Sequence, residues 1–116
     1  MSAPARRTVR ATPAFFADLD RQLPASRGPH GVPPSRGDFQ AYDLLPIVER
    51  FATGFDDLPQ LIPGRPDYRV LITNGRLVLS VAVTGQLAHD GAVELVGLDI
   101  DTRDPRAPDM DENSDE

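Results

Sequence analysis

Arginine is the residue type with which this chain could do most chemistry. All twelve of its basic residues are Arg and none is Lys, so lysine chemistry is excluded, while a guanidinium stays protonated and offers a fork of donors to phosphate or carboxylate. Arg69 stands out because it interrupts the strand-like run Tyr68, Val70, Leu71 and Ile72. An arginine there is either a solvated outward residue, pairing with a carboxylate such as Glu94, or a phosphate-binding residue held on a rigid support. Arg6, Arg7 and Arg10 with Arg27 and Arg36 form the only basic concentration, suited to nucleic acid or an acidic partner, or to solubility alone. Asp99 and Asp101 share a strand face as a divalent-metal pair would, but without a third carboxylate clearly nearby they read as a solvated strand end. His30 and His89 stand in turn segments with no fixed partners and read as solvated loop residues rather than ligands or general bases. No metal or cofactor is expected.

These residues must be positioned by one domain, since 116 residues can bury a modest core around a single sheet but not two independent cores. The chain has no cysteine, which excludes disulfides and thiolate metal sites and makes a reducing cytoplasm the expected location. It has no apolar run long enough to span a bilayer and no apolar signal core near Met1, so a soluble, unexported protein without a membrane partner is expected. The net charge of -6 is uneven: residues 1–37 carry +4, residues 38–103 carry -5 and residues 104–116 carry -5.

Arg6 to Thr12 alternates weakly and reads as a first strand. Thr12-Pro13 reads as an N-cap followed by proline at the first helical position, where the missing N–H is not needed. The helix that follows has Phe15, Phe16, Leu19 and Leu23 as its apolar stripe, Asp18 and Arg21 on its wet side, and Pro24 as its stop. Residues 24–37 are rich in Pro and Gly and predict a long loop. Asp43 reads as the N-cap of a second helix, with Pro46 in its first turn and Leu44, Leu45, Val48, Phe51, Ala52 and Phe55 as its apolar face. Asn74-Gly75 predicts a tight two-residue turn joining two strands within Asp67 to Thr84, with Leu77, Leu79, Val81 and Val83 on one face of the second. A looser turn over 85–91 leads to a last strand, Ala92 to Asp101, with Val96, Leu98 and Ile100 on one side and Val93 and Leu95 on the other. That pattern predicts one face under helices and the other under a partner or tail. Residues 104–116, rich in acid and proline, predict a disordered tail that is solubilising or folds back on the basic arm.

The order strand, helix, helix and three-stranded antiparallel meander resembles the RelE/ParE superfamily of toxins from bacterial type II toxin-antitoxin systems. Ala11-Thr12-Pro13-Ala14-Phe15-Phe16-Ala17-Asp18-Leu19 is similar to the opening strand-to-helix segment of that family, and Leu58-Pro59 with Asp67-Tyr68-Arg69-Val70 is similar to its later strand. The resemblance covers roughly residues 6–103, one domain spanning 1–103. It implies an α+β fold with one small sheet and the helices on one face, a small antitoxin as partner, and growth inhibition in a bacterial cytoplasm.

Two activities follow from the resemblance. RelE-like members cut messenger RNA on the ribosome without a metal, using basic residues to stabilise developing phosphate charge; ParE-like members poison DNA gyrase. Arg69 matches the strand arginine of the nucleases, and Arg103 is the one further candidate for a phosphate contact. Where those nucleases commonly carry Lys, His or Tyr near the end of the last strand, this chain has Asp99, Asp101, Thr102 and Arg103. The expectation is therefore a gyrase-like binding poison, ahead of a ribosome-dependent endoribonuclease using Arg69 and of an inert interaction domain.

Overall fold

A computed structural model describes residues 6–31 and 33–102; Arg103 and the acidic segment 104–116 lie outside the described residues. The fold is α+β. Strand β1 (Val9–Ala11) leads to helix α1 (Pro13–Gln22), a helical run made of α2 (Arg36–Phe39), a π-helical stretch (Gln40–Leu44) and α3 (Leu45–Gly54), and then strands β2 (Tyr68–Asn74), β3 (Ser80–Leu87) and β4 (Val93–Asp101). The sheet order is β1-β4-β3-β2. The last three strands form the expected antiparallel meander, whereas β1 pairs with β4 in parallel, Val9 opposite Val93 and Ala11 opposite Leu95. A single core joins Phe15, Leu19 and Leu23 of the α1 region to Phe39, Ile47, Phe51 and Phe55 of the helical run and to Leu71, Val83 and Leu95 of the sheet. Among the described residues no helix is long and apolar enough to cross a membrane.

Helix α1 begins as its sequence predicts. The Thr12 hydroxyl accepts from the Phe15 amide and Pro13 opens the first turn, and Leu23 closes the helix just before Pro24. Asp18 is not a purely solvated residue: its carboxylate accepts from the Leu98 amide at 3.1 Å as well as from Arg21. One turn on, Gln22 donates to the Leu98 carbonyl and accepts from the Ile100 amide. Because β1 pairs only with Val93 to Leu95, the outer edge of β4 beyond it needs other partners, and side chains at i and i+4 of α1 supply them.

The second helical run starts earlier than Asp43. Ser35 is its N-cap, in a reciprocal capping box with Asp38, and this orders the end of the segment read as a loop. Pro46 lacks an N–H and its ring crowds the carbonyl four residues back, that of Tyr42. With the run already helical at Tyr42, the conflict is met by widening the turn over Gln40–Leu44. Asp43 is therefore internal, only 4% exposed, and its carboxylate accepts from the amides of Arg76 at 2.6 Å and Leu77 at 3.0 Å. Leu45 and Phe16, placed in apolar stripes by spacing, are exposed.

That carboxylate also explains why Asn74-Gly75 does not make a two-residue turn. Asn74 pairs with Ser80, leaving the loop 75–79 between the strands, held by Asp43 and by the burial of Val78. Positive φ occurs at His30, Gly64 and Gly91 among the described residues, not at Asn74 or Gly75. Gly75 is needed for close approach instead: a Cβ there would lie 2.6 Å from the Val78 side chain and 2.8 Å from its carbonyl oxygen.

Strand β3 continues through the expected turn to Leu87, and its register against β4 shifts between Thr84 and Gly85. Thr84 faces Gly97 and Gly85 faces Leu95, so Val96 is the extra residue of a bulge. Val93 and Leu95 on one side of it, and Leu98 and Ile100 on the other, consequently all reach the same core. The two apolar faces expected of this strand are one face interrupted by a bulge.

Candidate functional site

Arg69 lies opposite Gly85 and two residues from buried Leu71, on the core-facing side of the sheet. Its Nε donates to the Pro66 carbonyl at 2.8 Å, and its Nη1 donates to the carbonyls of Leu58 at 2.7 Å and Asp56 at 3.1 Å. The guanidinium carbon is 5.6 Å from the centre of the Phe55 ring. Arg69 therefore ties the segment after α3 to β2, beside the backbone bonds Val70 N to Pro59 O and Leu61 N to Tyr68 O. The expected pairing with Glu94 is not formed; Glu94 accepts from Arg10. Arg103, the second candidate, lies outside the described residues.

The basic concentration is neutralised where it stands. Arg6 pairs with Glu49, Arg7 with Asp56, and Arg10 with both Asp90 and Glu94. Arg27 and Arg36 pair with Asp38 and Asp20. The electrostatic effect is visible on the acids: Arg10, with the Ala92 amide, holds the Asp90 carboxyl below its usual range, and Arg6 does the same to Glu49. Arg27, with the Ser35 amide, lowers Asp38 to about 2. A cleft of about 670 Å³ runs between β1, the end of α3 and the β3–β4 turn, but Asp56, Asp57 and Asp90 line it together with Arg6, Arg7 and Arg10. It offers no net positive field to a phosphate.

A second cleft, of about 360 Å³, lies between α3, the end of β2 and the β2–β3 loop. Ile47 and Leu71 give it an apolar floor, and Arg50 and Arg76 line it. Neither guanidinium has a carboxylate partner among the described residues, where seven of the other eight arginines do. The eighth is Arg69, engaged by carbonyls. The acid in this cleft, Asp43, is buried and turned to backbone amides. Two exposed guanidiniums over an apolar floor can take a carboxylate pair or a phosphate, with an apolar group between.

Sequence reading missed both residues. Half of the signal was present: the helical neighbours of Arg50 at three and four residues are Pro46, Ile47, Thr53 and Gly54, none of them acidic. Arg76 carried no signal, because its place beside α3 depends on the long-range bond from Asp43. His30 and His89 are exposed, as expected for loop residues, and no group of three potential metal ligands occurs among the described residues. No family model matches the chain, and neither a curated protein nor a solved structure is significantly similar to it.

Proposed function

We propose that this chain is a non-catalytic protein-binding domain, a toxin of the RelE/ParE kind that inhibits a cellular target in the bacterial cytoplasm, with DNA gyrase the target class implied by the resemblance, and that a small antitoxin neutralises it. The element order and the antiparallel meander agree with the resemblance. The observation that carries the choice against a nuclease is the engagement of Arg69. Its Nε and Nη1 are bonded to three main-chain carbonyls on the core side of the sheet, which makes it a structural tie rather than a group free to follow charge developing on a scissile phosphate.

Binding of a partner has surface to use. The sheet face away from the helices exposes Ile72 at 71%, opposite Ala82, two residues along β2 from Val70 and diagonal to Thr84. The test is induced expression in a bacterial host. Growth arrest with DNA breaks and intact transcripts is the expected result. Ribosome-dependent transcript cleavage would overturn the reading and restore the endoribonuclease. Normal growth at high expression would leave an interaction domain without toxicity.

A further inference from the structure

We infer that the Arg50–Arg76 cleft is the docking site of the chain's own acidic segment, with Met110 on the apolar floor and Asp109, Asp111 and Glu112 on the two guanidiniums. The inference stands on the cleft alone and holds whether or not the domain is a toxin. Charge is the first argument. Arg50 and Arg76 are the two arginines among the described residues whose heads have neither a carboxylate nor a carbonyl partner, whereas residues 104–116 hold six carboxylates against Arg106.

Place is the second. The Leu79 amide donates to the Asp101 carbonyl at 2.8 Å, and Ser80 pairs with Asp101. The chain therefore leaves the sheet beside the loop 75–79, the loop that carries Arg76. Met110 is the eighth residue after Thr102, a reach of up to about 26 Å, ample for a site bordered by Asn74, Gly75 and Arg76. The N-terminal arginines are the poorer destination. Arg10 lies opposite Glu94, about 23 Å along β4 from Asp101 at strand rise, and its guanidinium is already engaged by Asp90 and Glu94.

Chemistry is the third. In Asp109-Met110-Asp111-Glu112 an unbranched apolar side chain stands between acids, matching an apolar floor flanked by cations. Each exposed ion pair is weak, but attachment to the same chain raises the effective concentration to the millimolar range, so weak contacts suffice. Docking of this kind places an acidic peptide in the cleft until a competing acidic or phosphorylated group displaces it.

The absence of cysteine allows a single nitroxide label to be placed by Ser114→Cys in the full chain, read by NMR. The expected result is selective broadening of amide signals from Asn74 to Leu77 and around Arg50. It should be lost in the Arg50→Gln/Arg76→Gln double variant and in 1 M NaCl, where the screening length falls to about 3 Å. Both substitutions are at exposed positions, and an unchanged amide spectrum elsewhere shows that the fold is kept. Broadening confined to residues near 102, broadening centred on Arg6 to Arg10, or cleft broadening that appears only between labelled and unlabelled molecules would each overturn the inference.

Discussion

The two clefts flank one helix and contain the same residue type, yet their chemistry differs. Beside β1, the heads of Arg6, Arg7 and Arg10 each meet at least one carboxylate, and Arg7 and Arg69 also flank the Phe55 ring at 5.8 and 5.6 Å. Beside the β2–β3 loop, Arg50 and Arg76 meet none among the described residues. A cluster of arginines in sequence is thus a poor guide to available positive charge. Topology decides the matter here: the parallel pairing of β1 with β4 brings Arg10 onto Glu94, and the fold sets the other arm arginines against Glu49 and Asp56. Among the described residues, the two arginines whose heads are left without partners come from an internal helix turn and a loop.

The strongest way to break the comparison is to remove the support both clefts share. Phe51 stands on α3 between Arg50 and Ala52, is fully buried, and packs so closely on β3 that a Cβ at Gly85 would lie 2.5 Å from its ring. Phe51→Ala should destabilise the protein by about 3 to 5 kcal/mol, read as a fall in the denaturation midpoint. An unchanged midpoint would show that α3 does not pack on the sheet as described.

A more selective break acts on one cleft alone. Asp43→Ala leaves the Arg76 and Leu77 amides without their acceptor and should cost about 1 to 3 kcal/mol, with amide exchange rising sharply at 76 and 77 and little near Arg10. Equal loosening at both clefts would mean that the β2–β3 loop is not held by this carboxylate.

Arg69 tests the other side. An outward strand arginine would be replaceable at almost no cost, but this one bonds three carbonyls. Arg69→Ala should therefore lower stability by on the order of 1 to 2 kcal/mol, and amide exchange should rise along 58–61, where the backbone bonds to Tyr68 and Val70. A thermal midpoint equal to wild type would return Arg69 to the pool of free cations.

What could be read from sequence follows the range of the interactions. The start of α1 was legible because Thr12 and Pro13 act on adjacent backbone. The start of the second run was not, although Ser35 and Asp38 have capping-box spacing, because the surrounding prolines and glycines outweighed it in the reading. Asn74-Gly75 has the residues of a two-residue turn, and the local preference was overridden by a carboxylate from Asp43 and by the burial of Val78. Val96 marks the place where strict alternation misleads: once the bulge is known, Val93, Leu95, Leu98 and Ile100 fall on one face. The site followed the same rule. Arg50 lacks acidic neighbours within its own helix, which is local and visible, whereas the pairing of Arg10 and the placing of Arg76 depend on contacts more than thirty residues apart.

Acid should erase the contrast between paired and unpaired arginines, with the smallest effects and a definite sign. Arg27, with the Ser35 amide, lowers the Asp38 carboxyl to about 2, and Asp90 and Glu49 are lowered by Arg10 and Arg6. A carboxylate whose folded pKa is depressed contributes stability that is full above its unfolded value, near 3.9 for an aspartate, and is lost as pH falls through the folded one. For Asp38 the window is about pH 4 down to about 2. Above pH 5 the unfolding midpoint should be nearly independent of this group; below pH 4 it should decline as the capping box at the start of α2 is protonated. Arg27→Gln should move the Asp38 titration, followed by carboxyl NMR, upward toward ordinary values and shrink the decline below pH 4, whose start is set by the unfolded carboxyl and stays in place. A titration unchanged by that substitution would show that the Ser35 amide, not the ion pair, sets the charge at the head of α2.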